Sequence, residues 1–230
     1  MIIIHISIET LRKIPKVLIA IFLVLLVLNV IALSIGIITG HSSMKGLLDF
    51  FEFDKEQNLP TYFSSIVLVI ASLLLFTLYI IKKNRNDEHT RFWLVLSLIF
   101  VYLSIDEFAS IHELLTNITR EIFVIESLHK IMWIIPGMII ALVIGIYLLP
   151  FYLKLTKRYK YLFAFSAILV LGGVFGVELL THGFSLNEGN QAIYSVMSTL
   201  EETMEIMGVV LFIYSLIDYY ILEVMTSKDS

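Results

Sequence analysis

The chain has 230 residues, of which 58% are hydrophobic and 16% are charged. Its mean hydropathy of +0.90 excludes a soluble globular domain and predicts a membrane protein. Because there is no cysteine, disulfides, thiolate metal ligands and a cysteine nucleophile are also excluded. The net charge of -4 gives no sign of a nucleic-acid partner, and we expect none.

The apolar residues form long runs separated by short polar connections. A transmembrane helix needs about 20 predominantly apolar residues. Six segments meet this requirement: residues 15–39, 60–81, 92–115, 129–150, 161–183 and 193–222. The first is too long for a signal peptide and has no small-residue cleavage site, so we interpret it as a retained helix. The sequence therefore predicts an all-α, polytopic membrane helix bundle that forms a single domain over residues 1–230.

The basic residues are concentrated on one side of this predicted bundle. Twelve of the 16 Lys and Arg residues lie before the first span, in the connections after the second and fourth spans, and at the C-terminus. The opposite connections contain the remaining four. Since cytoplasmic loops are enriched in Lys and Arg, both termini are predicted to be cytoplasmic.

Three of the predicted spans carry acidic residues at a similar depth. These residues are Asp106, Glu107 and Glu113 in the third span, Glu178 in the fifth, and Glu201, Glu202 and Glu205 in the sixth. An acidic residue in the membrane interior costs about 2.5–3.5 kcal/mol, so these side chains are predicted to face the inside of the bundle. Apart from Lys16 and Lys130, at the ends of the first and fourth predicted spans, no Lys or Arg lies within the predicted spans. Protons, metal ions or a cationic substrate must then neutralise them.

Helical spacing predicts which polar residues share a face. In the third span Asp106, Ser110 and Glu113 fall on one stripe, whereas His112 is predicted to point away from Asp106 and is a secondary candidate. Glu178 and His182 lie one turn apart in the fifth span. These patterns predict one polar cavity near the outer face.

Carboxylates and imidazoles in a helix bundle are typical of metal centres. The predicted ligands are Asp106, Glu113, Glu178, His182, Glu201, Glu205 and His129, with His41 as a remoter option. Dinuclear iron and manganese sites usually contain Glu-x-x-His, whereas this chain has Glu-x-x-x-His, and zinc fits about as well. We therefore predict a divalent metal ion, which is zinc, iron or manganese.

Further residues are assigned supporting roles. Glu107 and Glu202 border the predicted cavity and are candidate general bases. Ser110 and Arg120 are secondary candidates, Arg120 for an anionic headgroup or one of the acids. Residues 49–61 are predicted to form a lid at the outer interface, and residues 116–127 an interfacial helix. Gly172, Gly173 and Gly176 are predicted to allow close helix contact.

Three motifs resemble a group of small prokaryotic multi-pass membrane proteins that have no established activity. They are FDKEQNLPTYFSS at 53–65, LSIDEFASIHELL at 103–115 and LEETMEIMGVVLFIY at 200–214. The resemblance covers most of the chain and implies a prokaryotic inner or plasma membrane, but neither a substrate nor catalytic residues. The chain lacks the paired histidines, one helical turn apart, of the membrane metallohydrolases that include alkaline ceramidases and adiponectin-type receptors, so we do not assign it to them.

Several functions agree with this pattern. The first is a membrane-embedded metalloenzyme, a hydrolase or an oxidoreductase, that acts on a lipid-like substrate. The alternatives are a proton- or cation-coupled small transporter and an accessory membrane subunit, and a purely structural polar network would explain the acids without any activity. Membrane lipids are the expected partners, and a homo-oligomer is compatible with each of these functions.

Overall fold

The structure is a computed structural model that describes residues 7–39, 46–112, 114, 133–185 and 191–225, with the backbone alone for 182–185, 191 and 223–225. Within these ranges the chain is helical and contains no strand. The helices are α1 (Ile8–Thr39), α2 (Leu59–Asn84), α3 (Thr90–Ala109), α4 (Ile134–Lys154), α5 (Lys157–Leu171), α6 (Glu178–Ser185) and α7 (Gln191–Tyr219). A π-helical segment, Gly172–Val177, joins α5 to α6, and a second, Tyr220–Met225, follows α7.

Six helical segments are long and apolar enough to cross a membrane. They are Ile8–Thr39, Leu59–Asn84, Thr90–Ala109, Ile134–Lys154, Lys157–Thr181 and Ala192–Leu222. The predicted all-α, six-span membrane fold is therefore confirmed. The third span differs from the prediction, since α3 ends at Ala109 and Ser110 has left-handed backbone angles of φ 50° and ψ 45°.

The last span is the central helix of the bundle. α7 packs against α1, α2, α5 and α6, whereas most large apolar side chains of α4 are exposed. Leu75 of α2 and Ile213 and Leu216 of α7 are completely buried in the main apolar core. The acidic residues Glu201, Glu202 and Glu205 in the first half of α7 are half-buried in this central helix.

Two pairs of serines join α2 to α3. The hydroxyl oxygens of Ser65 and Ser104 are 2.9 Å apart, and those of Ser72 and Ser97 are 3.1 Å apart. Each of the four hydroxyls is also within hydrogen-bonding distance of the backbone carbonyl oxygen of the serine opposite it on the other helix. Because small residues let helix backbones approach closely, these pairs fix α3 against α2 and thereby set the position of Asp106.

The connection between α2 and α3 is held by Asp87. Its carboxylate accepts a hydrogen bond from the His89 N–H at 2.8 Å and lies 3.2 Å from the Lys82 ammonium. Burial raises the pKa of Asp87, but the His89 N–H and the Lys82 ammonium outweigh burial and hold this pKa below its ordinary value.

Asp87 is therefore expected to make the stability of the protein depend on pH. A carboxylate with a lowered pKa in the folded state stabilises the fold above the unfolded-state pKa, and this contribution is lost as the pH falls through the folded-state pKa. We expect Asp87→Asn to lower the free energy of unfolding by about 1 kcal/mol at neutral pH. In thermal unfolding in detergent, the difference from the wild type should shrink as the pH falls below the ordinary Asp pKa of 3.8. Glu88→Gln, at the exposed neighbouring residue, serves as the control. Parallel pH profiles of Asp87→Asn and the wild type would contradict this role.

Candidate functional site

The end of α3 brings His112 against Asp106. The backbone N–H of His112 donates to one carboxylate oxygen of Asp106 at 2.9 Å. The imidazole Nδ1 of His112 lies 3.3 Å from the other oxygen. The prediction that His112 points away from Asp106 is wrong, because helical phase holds only while the helix continues. The left-handed residue Ser110 ends the helix and turns His112 back.

Glu56 approaches the same imidazole from the connection between α1 and α2. One oxygen of Glu56 lies 3.9 Å from Nε2 of His112, and the other accepts a hydrogen bond from the Ser110 hydroxyl at 2.9 Å. Burial lowers the pKa of His112, but the hydrogen bond to Asp106 and the charges of Asp106, Glu56 and Glu178 raise it above its ordinary value. His112 therefore lies between two carboxylates and, when protonated, neutralises part of their charge.

Trp133 connects this group to the fifth span. Its indole N–H donates to the Glu178 carboxylate at 3.1 Å, and its ring centroid lies 5.3 Å from that of His112. Trp133 was not among the residues predicted for the site. The sequence did indicate a polar partner for Trp133, because an indole N–H in an apolar span needs a hydrogen-bond acceptor.

The π-helical segment places Glu178 close to α7. A Cβ atom on Gly173 would lie 2.8 Å from Cγ of Glu205 and 3.0 Å from the carbonyl oxygen of Glu201. Gly172 is similarly close to Met204, at 3.1 Å, so the predicted close contact is confirmed for these two glycines. It is wrong for Gly176 as far as the described residues go, since none of them has an atom within 4 Å of such a Cβ. The fifth span thus meets α7 at the level of its acidic residues.

The acids of α7 have acids of the other elements as electrostatic neighbours. Glu201 has Glu178, Asp54 and His112 as charged neighbours. The neighbours of Glu202 include Glu107 and Glu56, and those of Glu205 include Glu107, Glu178 and Glu56. Glu107 in turn lies near Ser64 and His112.

Three basic residues within the described ranges form ion pairs with acids outside the site. Lys13 binds Glu9, Lys82 binds Asp87, and Arg158 binds Asp218 at distances of 2.7, 3.2 and 2.9 Å. Asp218 is the acid of the last span that lies nearest the opposite end of the bundle. These pairs leave the acids around His112 to be neutralised by His112 itself, by protons or by a bound cation.

The predicted metal ligands are only partly within the described residues. Asp106, Glu178, Glu201 and Glu205 are described, whereas Glu113, His129, His41, Arg120, the side chain of His182 and residues 116–127 are not. Over the described ranges, no group of three or more His, Asp and Glu side chains is arranged to hold a metal ion. Metal binding, with zinc, iron or manganese, therefore stays a prediction.

A cavity of about 530 Å³ is lined by residues that include Gln57 and Ala109, the sequence neighbours of Glu56 and Ser110. Phe50, Tyr62, Phe108 and Leu59 form its apolar wall, and Gln57 and Asn58 add polar groups. Its volume is within the range of small-molecule sites, which are about 300–1,000 Å³. The cavity therefore offers apolar space lined by residues that directly follow Glu56 and precede Ser110 in the sequence.

Comparisons with known proteins give one match. No curated protein and no solved structure matches the chain significantly. A family model matches residues 18–219, and this range includes every described residue of the site. The resemblance to an uncharacterised family is confirmed to this extent, whereas a prokaryotic origin stays a prediction. The chain belongs to the family described as "Domain of unknown function (DUF8692)".

Proposed function

We propose that this membrane protein is a metal-dependent enzyme whose site around His112 binds zinc, iron or manganese and acts on a lipid-like substrate. The observation that carries the proposal is the orientation of His112, with Nδ1 against Asp106 and Nε2 towards Glu56. A metal-binding histidine almost always has its second ring nitrogen hydrogen-bonded, frequently to a carboxylate. Asp106 supplies this contact, and Nε2 is left facing a second carboxylate.

The neighbouring acids have distinct roles in this proposal. Glu56, Glu178 and Glu201 are the carboxylates that share His112 as an electrostatic neighbour or contact, and Glu205, Glu113, His129 and His182 are the further predicted ligands. A bound divalent ion lowers the pKa of its water ligand towards 7 and so supplies a nucleophile. Glu107 and Glu202 lie within electrostatic range of this group and are proposed as general bases.

The position of the site supports a lipid-like substrate. Asp106 is near the end of α3, and Glu178 is near the end of the fifth span, so the acids lie towards one end of the bundle. With the orientation predicted from Lys and Arg, this is the extracytoplasmic end. The apolar cavity bounded by Phe108 and Tyr62 would accept a hydrocarbon chain directly from the membrane, with its polar group towards Glu56.

A second candidate is proton- or cation-coupled transport. The mutual proximity of Glu107, Glu201, Glu202 and Glu205 favours it, since chains of acidic residues are common proton relays. The ion pair of Asp218 with Arg158 is evidence against transport. Asp218 is the acid that would continue a relay to the opposite end of the bundle, and Arg158 already neutralises it. The enzyme is therefore the better-supported proposal.

The metal content of the purified protein tests the two candidates. Glu178→Gln keeps the shape of the side chain and an oxygen for the Trp133 indole, but it removes a charge from the site. We expect the wild type to contain stoichiometric metal and the variant to bind Zn²⁺ about 10- to 100-fold more weakly in competition titrations. Asp218→Asn, at the opposite end of the bundle, is the matched control and should bind Zn²⁺ as the wild type does. A metal-free wild type that takes up protons in vesicles would instead support the transporter.

A further inference from the structure

The connection between α1 and α2 crosses the site, and the residues that hold it lie outside the predicted ligand set. Residues 46–58, here called the strap, place Phe53 and Leu48 in the core, each with 4% of its surface exposed. Over residues 53–56 the strap contacts α1, α7 and the end of α3 in turn. A residue that fixes the strap would therefore fix Asp54 and Glu56 as well.

Asn29 of α1 is such a residue. It is 99% buried, with 1% of its surface exposed, and its side-chain oxygen accepts a hydrogen bond from the Phe53 N–H at 3.0 Å. Its amide nitrogen donates to the Thr199 hydroxyl of α7 at 3.0 Å, and that hydroxyl donates to the Ser195 carbonyl. The orientation of the amide is thereby determined, because the oxygen faces an N–H donor and the nitrogen faces an oxygen that already donates elsewhere.

Packing and charge extend this attachment on both sides of Phe53. The Phe53 ring contacts Phe22, which lies two turns before Asn29 on the same face of α1, with ring centroids 6.1 Å apart. One oxygen of Asp54 accepts hydrogen bonds from the Tyr194 hydroxyl at 2.8 Å and the Ser198 hydroxyl at 3.0 Å. Glu56, two residues further, reaches Ser110 and His112.

We propose that Asn29 is a positioning residue that holds the strap between α1 and α7 and so sets the place of Glu56 beside His112. The assignment of Glu56 as a ligand rests on the proposed function, whereas the attachment of the strap does not. Burial of an amide in a membrane helix is costly unless its hydrogen bonds are made, and Asn29 makes one to the strap and one to α7. A role limited to joining α1 to α7 would need only the second of these bonds.

Two variants separate these roles. Asn29→Leu removes both hydrogen bonds and keeps the branching of the side chain. Thr199→Val removes the bond between α1 and α7, together with the bond to Ser195 within α7, and leaves the Phe53 N–H with its acceptor. Since the chain contains no cysteine, spin labels can be introduced at Lys55→Cys on the strap and at Leu73→Cys, an exposed residue of α2. Pulsed electron paramagnetic resonance then measures the distribution of distances between them in lipid nanodiscs.

The expected result is a narrow distance peak in the wild type and in Thr199→Val, and loss of that peak in Asn29→Leu. Asn29→Leu should also bind Zn²⁺ about tenfold more weakly than Thr199→Val. Equal distributions in the two variants, whether both narrow or both broad, would overturn the proposal. If Asn29→Leu does not fold, Asn29→Ser gives the same comparison, since its side chain is too short to reach both partners. A wild type that binds no Zn²⁺ would refute the proposed metal site, while the distance measurement would still decide the role of Asn29.

Discussion

His112→Ala is expected to weaken Zn²⁺ binding by at least about 100-fold, more than the loss of a residue that only orients a ligand. Among the described residues of the site, the imidazole is the one side chain whose nitrogen can ligate a metal ion, and it lies between Asp106 and Glu56 at 3.3 and 3.9 Å. Removing the imidazole leaves only carboxylates as candidate ligands in the described site. It also removes the positive charge that protonated His112 contributes. The measurement is a competition titration of the purified protein, combined with elemental analysis of the protein as isolated.

Two further variants make this result specific. His89→Ala removes a histidine from the N-terminal end of α3, at the other end of the bundle, and should leave Zn²⁺ binding unchanged. Asp106→Asn keeps the shape of the side chain but weakens the hold on Nδ1, so its effect should be smaller, about tenfold. Equal effects of His112→Ala and His89→Ala would show that neither histidine is a ligand and would remove the main support for the metal site.

Gly208→Leu is expected to lower the free energy of unfolding by about 3 kcal/mol, the largest effect on stability that the structure predicts. A Cβ atom at Gly208 would lie 2.7 Å from Cγ2 of Val170 and 3.0 Å from both Cβ of Leu169 and the Ser166 carbonyl oxygen. Because one of these atoms belongs to the backbone of α5, the side chain can fit only if α5 and α7 separate. The separation would also move Glu178 away from Glu201.

Gly145→Leu is the matched control for this prediction. Gly145 lies on the exposed helix α4, and no described residue has an atom within 4 Å of a Cβ built there. The helix propensity of leucine exceeds that of glycine by nearly 1 kcal/mol, so the control should be neutral or slightly stabilised. Thermal unfolding in detergent, followed by tryptophan fluorescence, compares the two variants. Equal melting temperatures would mean that α5 and α7 do not pack as closely as the structure places them.

The candidate site was partly predictable from local sequence properties. Asp106, Glu178 and Glu201 were placed at one end of the bundle because the rise per helical residue is constant and the apolar runs set the spans. The orientation of His112 was predicted wrongly because the prediction extended α3 through Ser110. Glu56 and Asp54 lie in a connection without helical periodicity. Apart from their charge, nothing in the sequence predicted that they would lie close to the site.

The sequence by itself determined the membrane class, the six spans and the expectation that the acids face inward, because burial in lipid acts on each residue according to its own polarity. Only the tertiary structure decided that His112 turns back onto Asp106, that Trp133 donates to Glu178, and that Asn29 holds the strap. These contacts join residues on different helices or across a helix end. Their formation depends on close packing, for example at Gly173, where the absence of a side chain lets two helices meet.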